Sequence, residues 1–192
     1  MIIRKSFKFE GSHIVRNCSS EKCKYNIHGH SYIVEVFIHS NKLDKGYMVL
    51  DFILLDKVKE FIESFDHSYS LWSREPKEYK KFIYQYNKRV AEIPVSPSAE
   101  GYALMFFYAV DMILNNMVFK NGEGDIKLQS VRVHETATGY AEVYDEDRHM
   151  MDFTLDDILF SDGIVEDWKA KEWYDHLKNG IQFENPDVDL NL

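Results

Sequence analysis

Cys23-Lys24-Tyr25-Asn26-Ile27-His28-Gly29-His30 runs without a break into Ser31-Tyr32-Ile33-Val34-Glu35-Val36-Phe37-Ile38. The second half alternates and is rich in β-branched residues, so it reads as a strand. Along a strand, positions i and i+2 face the same way, so His28 and His30 project side by side. Two imidazoles on one rigid face make half of a zinc site, and Gly29 between them leaves the backbone uncrowded. Phe7-Lys8-Phe9-Glu10-Gly11-Ser12-His13 also reads as a strand, running into a bend that delivers a third histidine. Three histidines leave one position of tetrahedral zinc open, the arrangement of a catalytic rather than a structural metal.

Outward from these strands the chain divides by pattern. Residues 2–10 and 30–40 are the first two strands, and the polar stretch 16–26, which carries both cysteines, is a loop between them. Asp51 is placed to cap a first helix, on which Phe52, Leu55, Val58, Ile62 and Phe65 recur at helical spacing. Residues 71–95, dense in Lys, Glu, Tyr and Gln and punctuated by Pro76 and Pro94, read as an inserted, partly helical excursion. Ser96-Pro97-Ser98-Ala99-Glu100 begins a second helix, whose buried apolar run covers 102–119. Residues 126–135 and 140–144 form a hairpin. The order β-β-α-α-β-β describes one α+β domain over 1–144. Residues 145–192 form an acidic C-terminal extension, with a short helix at 154–160, a longer one at 165–177 and a frayed end at 184–192.

The bulk composition narrows the function. A net charge of −9 on 192 residues, with no basic patch, argues against a nucleic-acid partner, because phosphate neutralisation needs clustered Lys and Arg. No apolar run is long enough to span a bilayer and the first residues have no signal-peptide character, so the cytoplasm is the expected location. Two cysteines do not make a disulfide framework.

Four further residues are chemical candidates. Asp66-His67 places a carboxylate beside an imidazole at the end of the first helix, where it can raise basicity and hold the tautomer. Cys23, close in sequence to the proposed zinc, has its thiolate favoured by a nearby cation. Glu135 is a carboxylate at the end of an alternating strand. Glu100 reads instead as a first-turn helix carboxylate. A second arrangement stays open at this level, a closed and non-catalytic site of Cys18, Cys23, His28 and His30 in a zinc-stabilised binding module.

In chain order, Phe9-x-x-x-His13, Cys23 before His28-Gly29-His30, Met48-Val49-Leu50-Asp51-Phe52, Asp66-His67, Pro97-Ser98-Ala99-Glu100 and Glu135 resemble the 6-pyruvoyl-tetrahydropterin synthase and 6-carboxytetrahydropterin synthase superfamily. The resemblance covers 1–144 and excludes the excursion and the extension. It implies a tunnelling fold, in which a four-stranded antiparallel sheet is backed by two helices. It also implies a homohexamer, a dimer of trimers with active sites at subunit boundaries. It implies Zn2+ on His13, His28 and His30, Cys23 as catalytic base with Asp66 and His67 as its partners, and Glu135 as the carboxylate that anchors the pterin ring. The implied substrate is 7,8-dihydroneopterin triphosphate. The carboxytetrahydropterin-forming lyase activity of the queuosine route is the first expectation, and the pyruvoyl-forming triphosphate lyase is the alternative. Two positions depart from the family pattern. Four residues separate Cys23 from His28, where the two branches usually have three or five, and Gly11 stands where alanine or serine is common.

Overall fold

A computed structural model describes residues 1–184 of the chain. Strands β1 (Ile2–His13) and β2 (His28–His39) pair antiparallel in unbroken register, from Ile2 opposite His39 to His13 opposite His28. The first strand therefore continues through His13 rather than bending before it. Between the two strands lies α1 (Glu21–Tyr25), where the sequence reading has only a loop. This helix buries none of its residues, so no apolar period marked it.

Asp51 caps as expected, its carboxylate accepting from the Ile53 N–H at 3.1 Å at the head of a 3₁₀ turn that leads into α2 (Asp56–Glu63). Next come β3 (Ser68–Trp72), α3 (Lys77–Tyr86) and β4 (Val90–Ile93). The long helix α4 (Ala99–Asn115) starts at Ser98, whose Oγ accepts from the Gly101 N–H. It ends before the expected 119, because the chain turns at Asn116 into β5 (Met117–Val118). Strands β6 (Lys127–Thr136) and β7 (Gly139–Tyr144) are the expected hairpin. The extension holds β8 (Leu159–Phe160), α5 (Asp162–Val165), α6 (Trp173–Lys178) and β9 (Phe183–Glu184).

Among the described residues the main sheet has seven strands in the order β7-β6-β2-β1-β3-β4-β8, and β5 pairs separately with β9. Strands β7, β6, β2 and β1 are the antiparallel set that the sequence implies. The correction lies beyond β1. The excursion is a β-α-β crossover, with β3 and β4 parallel to each other and β3 parallel to β1. A parallel neighbour requires such a crossover, and α3 supplies it. The polar, Tyr-rich helix dominated the composition of this stretch and hid two short, mostly buried strands. The expected helix at 154–160 is instead a 3₁₀ turn followed by β8, which pairs antiparallel with β4 at Ala91 and Glu92. Of the expected helix at 165–177 the later part is α6, whereas 166–172 is turn and bend and α5 ends at Val165. The expectation of a frayed end falls on 185–192, outside the described residues, while Glu184 pairs with Val118.

One face of the sheet carries the core. Phe7 and Phe9 on β1, Tyr32, Val34, Val36 and Ile38 on β2, and Val131 and Val133 on β6 are all buried on it. Against them pack α2, through Val58, Phe61 and Ile62, and α4, through Tyr102, Phe106, Val110 and Ile113. The extension belongs to the same core. Phe160, Trp173 and Tyr174 surround Phe61 with ring centroids 5.9 to 6.5 Å apart, and Phe160 also meets Phe65 at 5.7 Å. Aromatic pairs of this kind each add about 0.5–1.5 kcal/mol beyond area burial.

Candidate active site

The alternation that builds the core also builds the site. On β1 the buried face runs Phe7, Phe9, Gly11, His13; on β2 it runs back from Val34 through Tyr32 to His30 and His28; on β6 it runs Val131, Val133, Glu135. At one end of the sheet these three strands reach the N-terminus of α4, and there the apolar residues give way to His13, His28, His30 and Glu135. The register between β6 and β7 breaks between His134 and Thr136, an irregularity of the kind that re-aims a side chain. Gly29 is needed for the close approach of β1 and β2, since a Cβ there would lie 2.8 Å from the Gly11 carbonyl oxygen.

The three imidazoles converge. One ring nitrogen from each of His13, His28 and His30 lies within 4.8 Å of the other two, and His13 is fully buried. The carbonyl of Pro97 holds His13 Nδ1 and the carbonyl of Asn26 holds His28 Nδ1 at 3.0 Å. Carbonyls only accept, so both Nδ1 atoms carry the proton and both Nε2 atoms present bare lone pairs. Those two Nε2 atoms face each other at 3.1 Å. Two nitrogens bound to one tetrahedral zinc at 2.0–2.1 Å stand about 3.3 Å apart, so the donor set and its spacing fit a zinc ion. Burial, with His28 and His30 adding like charge, pushes the His13 pKa down to about 4, which keeps the ring neutral and able to ligate.

That shift has a sign that can be tested. Unfolded, His13 takes up a proton near 6.5; folded, it resists until about 4. Its contribution to stability is therefore complete above pH 6.5 and is lost as pH falls through that window, by about 3 kcal/mol at most. Metal-stripped protein is expected to show a falling Tm from pH 6.5 to 4, and a Tm flat across that range would contradict the neutral, buried His13.

The other predicted residues fall into two groups. Cys23, on α1, lines a cavity of about 380 Å³ with His28, Ser98, Glu100, Glu135 and Tyr140. Glu135 Oε1 stands 3.7 Å from His13 Nε2 and 4.0 Å from His30 Nε2. Asp66 and His67 do not line that cavity. His67 lines a second cavity of about 610 Å³ with His30, Ser31, Tyr86, Lys88 and Arg89. Its Nε2 lies 3.9 Å from the Asp66 carboxylate and its side chain is largely exposed. The converging ligand set contains His13 and neither cysteine. Cys18 instead donates its thiol to the Ser20 carbonyl, so the closed Cys18, Cys23, His28, His30 arrangement is not formed.

Two residues enter the site that the sequence reading left out. Tyr32 continues the alternation one step past His28 and His30. Its hydroxyl lies 3.3 Å from both His13 Nδ1 and Glu135 Oε1, and burial drives its pKa well above the ordinary phenol value. The same i+2 spacing that identified the histidines would have found it. Glu100, read as a helix-dipole carboxylate, is on the wall of the Cys23 cavity because α4 begins there.

Comparison with known proteins agrees with this architecture. A family model described as 6-pyruvoyl tetrahydropterin synthase matches residues 2–146. The 6-carboxy-5,6,7,8-tetrahydropterin synthase of Helicobacter pylori is 46% identical over 179 residues, spanning 91% of this chain and 90% of that one. The protein of the same name from Aquifex aeolicus is 32% identical over 162 residues, spanning 75% and 98%. Among solved structures, an uncharacterized protein from Wolinella succinogenes matches with a TM-score of 0.59 at 20% identity, over 76% of this chain and 98% of that one. The 6-pyruvoyl tetrahydropterin synthase of Plasmodium vivax matches with a TM-score of 0.52 at 16% identity, over 74% and 97%. The structural likenesses speak for the fold, and the family model with the Helicobacter relative speaks for ancestry: the chain belongs to the 6-pyruvoyl tetrahydropterin synthase family.

Proposed function

We propose that this protein is a zinc-dependent 6-carboxy-5,6,7,8-tetrahydropterin synthase. It converts 7,8-dihydroneopterin triphosphate to 6-carboxytetrahydropterin, acetaldehyde and triphosphate on the queuosine route. The observation that carries the reading is one cavity wall bearing a thiol and two carboxylates beside three converging imidazoles, in a chain so similar to the Helicobacter enzyme.

His13, His28 and His30 hold the metal, which when bound supplies Lewis-acid polarisation of the substrate's side-chain hydroxyls. Cys23, as thiolate, removes the proton from the side-chain carbon or hydroxyl presented beside the histidines. Glu135 accepts from the 2-amino and N3 groups of the ring, and Glu100 across the same cavity is a second acceptor for that edge. Tyr32, with its proton held firmly, donates to Glu135 and fixes its carboxylate. Within one copy, Asp66 and His67 together line a cavity that does not include Cys23. We therefore assign their partnership with Cys23 to a second copy, in a homohexamer built as a dimer of trimers, with His67 relaying the proton.

The test is incubation of zinc-loaded protein with 7,8-dihydroneopterin triphosphate, followed by mass analysis of the pterins and an acetaldehyde assay. Carboxytetrahydropterin with acetaldehyde is the expected result. A pyruvoyl pterin without acetaldehyde would transfer the chain to the other branch of the family.

A further inference from the structure

The β3–α3–β4 crossover and the C-terminal extension meet at Arg89, just ahead of β4. Its Nε donates to the main-chain carbonyl of Asp66 at 3.1 Å, and its Nη1 donates to the Gly163 carbonyl at 2.9 Å and to the Asp167 carboxylate. The extension is locked onto the same segment. Ser161 Oγ donates to the Lys88 carbonyl at 2.6 Å and accepts from the Val90 N–H at 2.8 Å, while the Ser161 N–H donates to the Val90 carbonyl. Gly163 approaches so closely that a Cβ would lie 2.4 Å from the Lys88 carbonyl oxygen. Two residues before Asp66, Ser64 Oγ accepts from the Trp168 indole N–H at 2.8 Å.

What this grip acts on is the backbone at 66–67. His67 has φ of +51°, a left-handed conformation that a residue with a side chain keeps only where its surroundings over-determine it. On one side Glu10 supplies the constraint. Its N–H donates to Asp66 Oδ1 and its carbonyl accepts from the His67 N–H, both at 2.7 Å. On the other side the constraint is the Arg89 hydrogen bond to the Asp66 carbonyl. The His67 side chain is largely exposed, so the point and direction at which it leaves the chain are set by that backbone.

We infer that Arg89, anchored by Gly163 and Asp167 of the extension, is a positioning residue that aims His67 for proton transfer. The inference rests on the assignment of Asp66 and His67 as the acid–base pair. It gives the extension a task in the chemistry, although none of its described residues lines the cavity that holds Cys23.

The experiment compares Arg89→Ala and Asp167→Ala with wild type in the full-length, zinc-loaded protein. The readouts are kcat and KM for 7,8-dihydroneopterin triphosphate and amide hydrogen exchange at His67. Arg89→Ala is expected to lower kcat on the order of tenfold to a hundredfold, the range seen when a catalytic group is misaimed by about an ångström. KM is expected to stay within about twofold and His67 exchange to accelerate. The Asp167 side chain is mostly exposed, so its removal does not threaten folding. Asp167→Ala is expected to move kcat and exchange in the same direction by less. Wild-type kcat and wild-type His67 exchange in the variants would overturn the inference, as would a loss confined to KM. A wild-type protein that does not turn over the pterin would overturn the functional assignment instead, and the His67 exchange comparison would still tell a clamp from a bystander.

Discussion

Cys23→Ala is expected to lower kcat by about a thousandfold, the middle of the range for a lost general base, with KM and zinc content close to wild type. The variant isolates chemistry from folding because of where Cys23 sits. Helix α1 buries none of its residues, and its carbonyls tie it to the chain there, Cys23 accepting from the Val15 N–H and Lys24 from Arg16 Nη1, both of which alanine preserves. What is lost is a partly exposed thiol on the same wall as His28, Glu100 and Glu135. The check is single-turnover kinetics with product analysis, alongside metal analysis of the purified variant. A KM effect with kcat unchanged would make Cys23 a contact for the substrate and not its base.

His13→Ala is expected to abolish stoichiometric zinc binding and to lower activity on the order of a thousandfold, since Lewis-acid stabilisation contributes several kcal/mol to such a barrier. Cys18→Ser is expected to retain both zinc and activity. His13 is the best buried of the three histidines, and its loss strips the Pro97 carbonyl of its partner as well as removing one of the three converging nitrogens. Cys18 spends its thiol on the Ser20 carbonyl and is outside the converging set. Metal analysis after dialysis separates the cases. Zinc retained in His13→Ala and lost in Cys18→Ser would reinstate the closed cysteine–histidine module.

The parts of this molecule that were legible in the sequence are those where one pattern runs long enough to be counted. His28, Gly29, His30 and the strand behind them share a period of two over a dozen residues, and that period alone placed the ligands beside each other. The stripe from Phe52 to Phe65 and the apolar run after Ser98 placed α2 and α4 in the same way. Strands β3 and β4 failed the count because they are five and four residues long and bury residues on successive positions, so no alternation is visible. Tyr32 was overlooked because a tyrosine on a core strand reads as packing. The separation of His67 from Cys23 was hidden for another reason, since nothing local to either residue encodes which cavity its strand or helix end will face. Arg89 carries no signal at all in one dimension. Its meaning comes from Asp66, Gly163 and Asp167, which are 23, 74 and 78 positions away.

The unbroken β1–β2 ladder has a consequence for how this chain tolerates change in length. His13, His28 and His30 are inward because they keep the same parity as Phe7, Phe9, Val34 and Val36. Deleting any one residue between Phe9 and His13 turns the histidine outward, since a shift of one pairing reverses every side chain beyond it. The same deletion within 17–25, Cys23 aside, changes the reach of the connecting arm and leaves both strands in phase. Lengthening and shortening are thus open to the arm that carries Cys23 and closed to the strands that carry the three histidines. The Cys23 thiol can be moved relative to the three histidines there while the nest of imidazoles stays intact, and the four-residue spacing before His28 is one setting of that adjustable part.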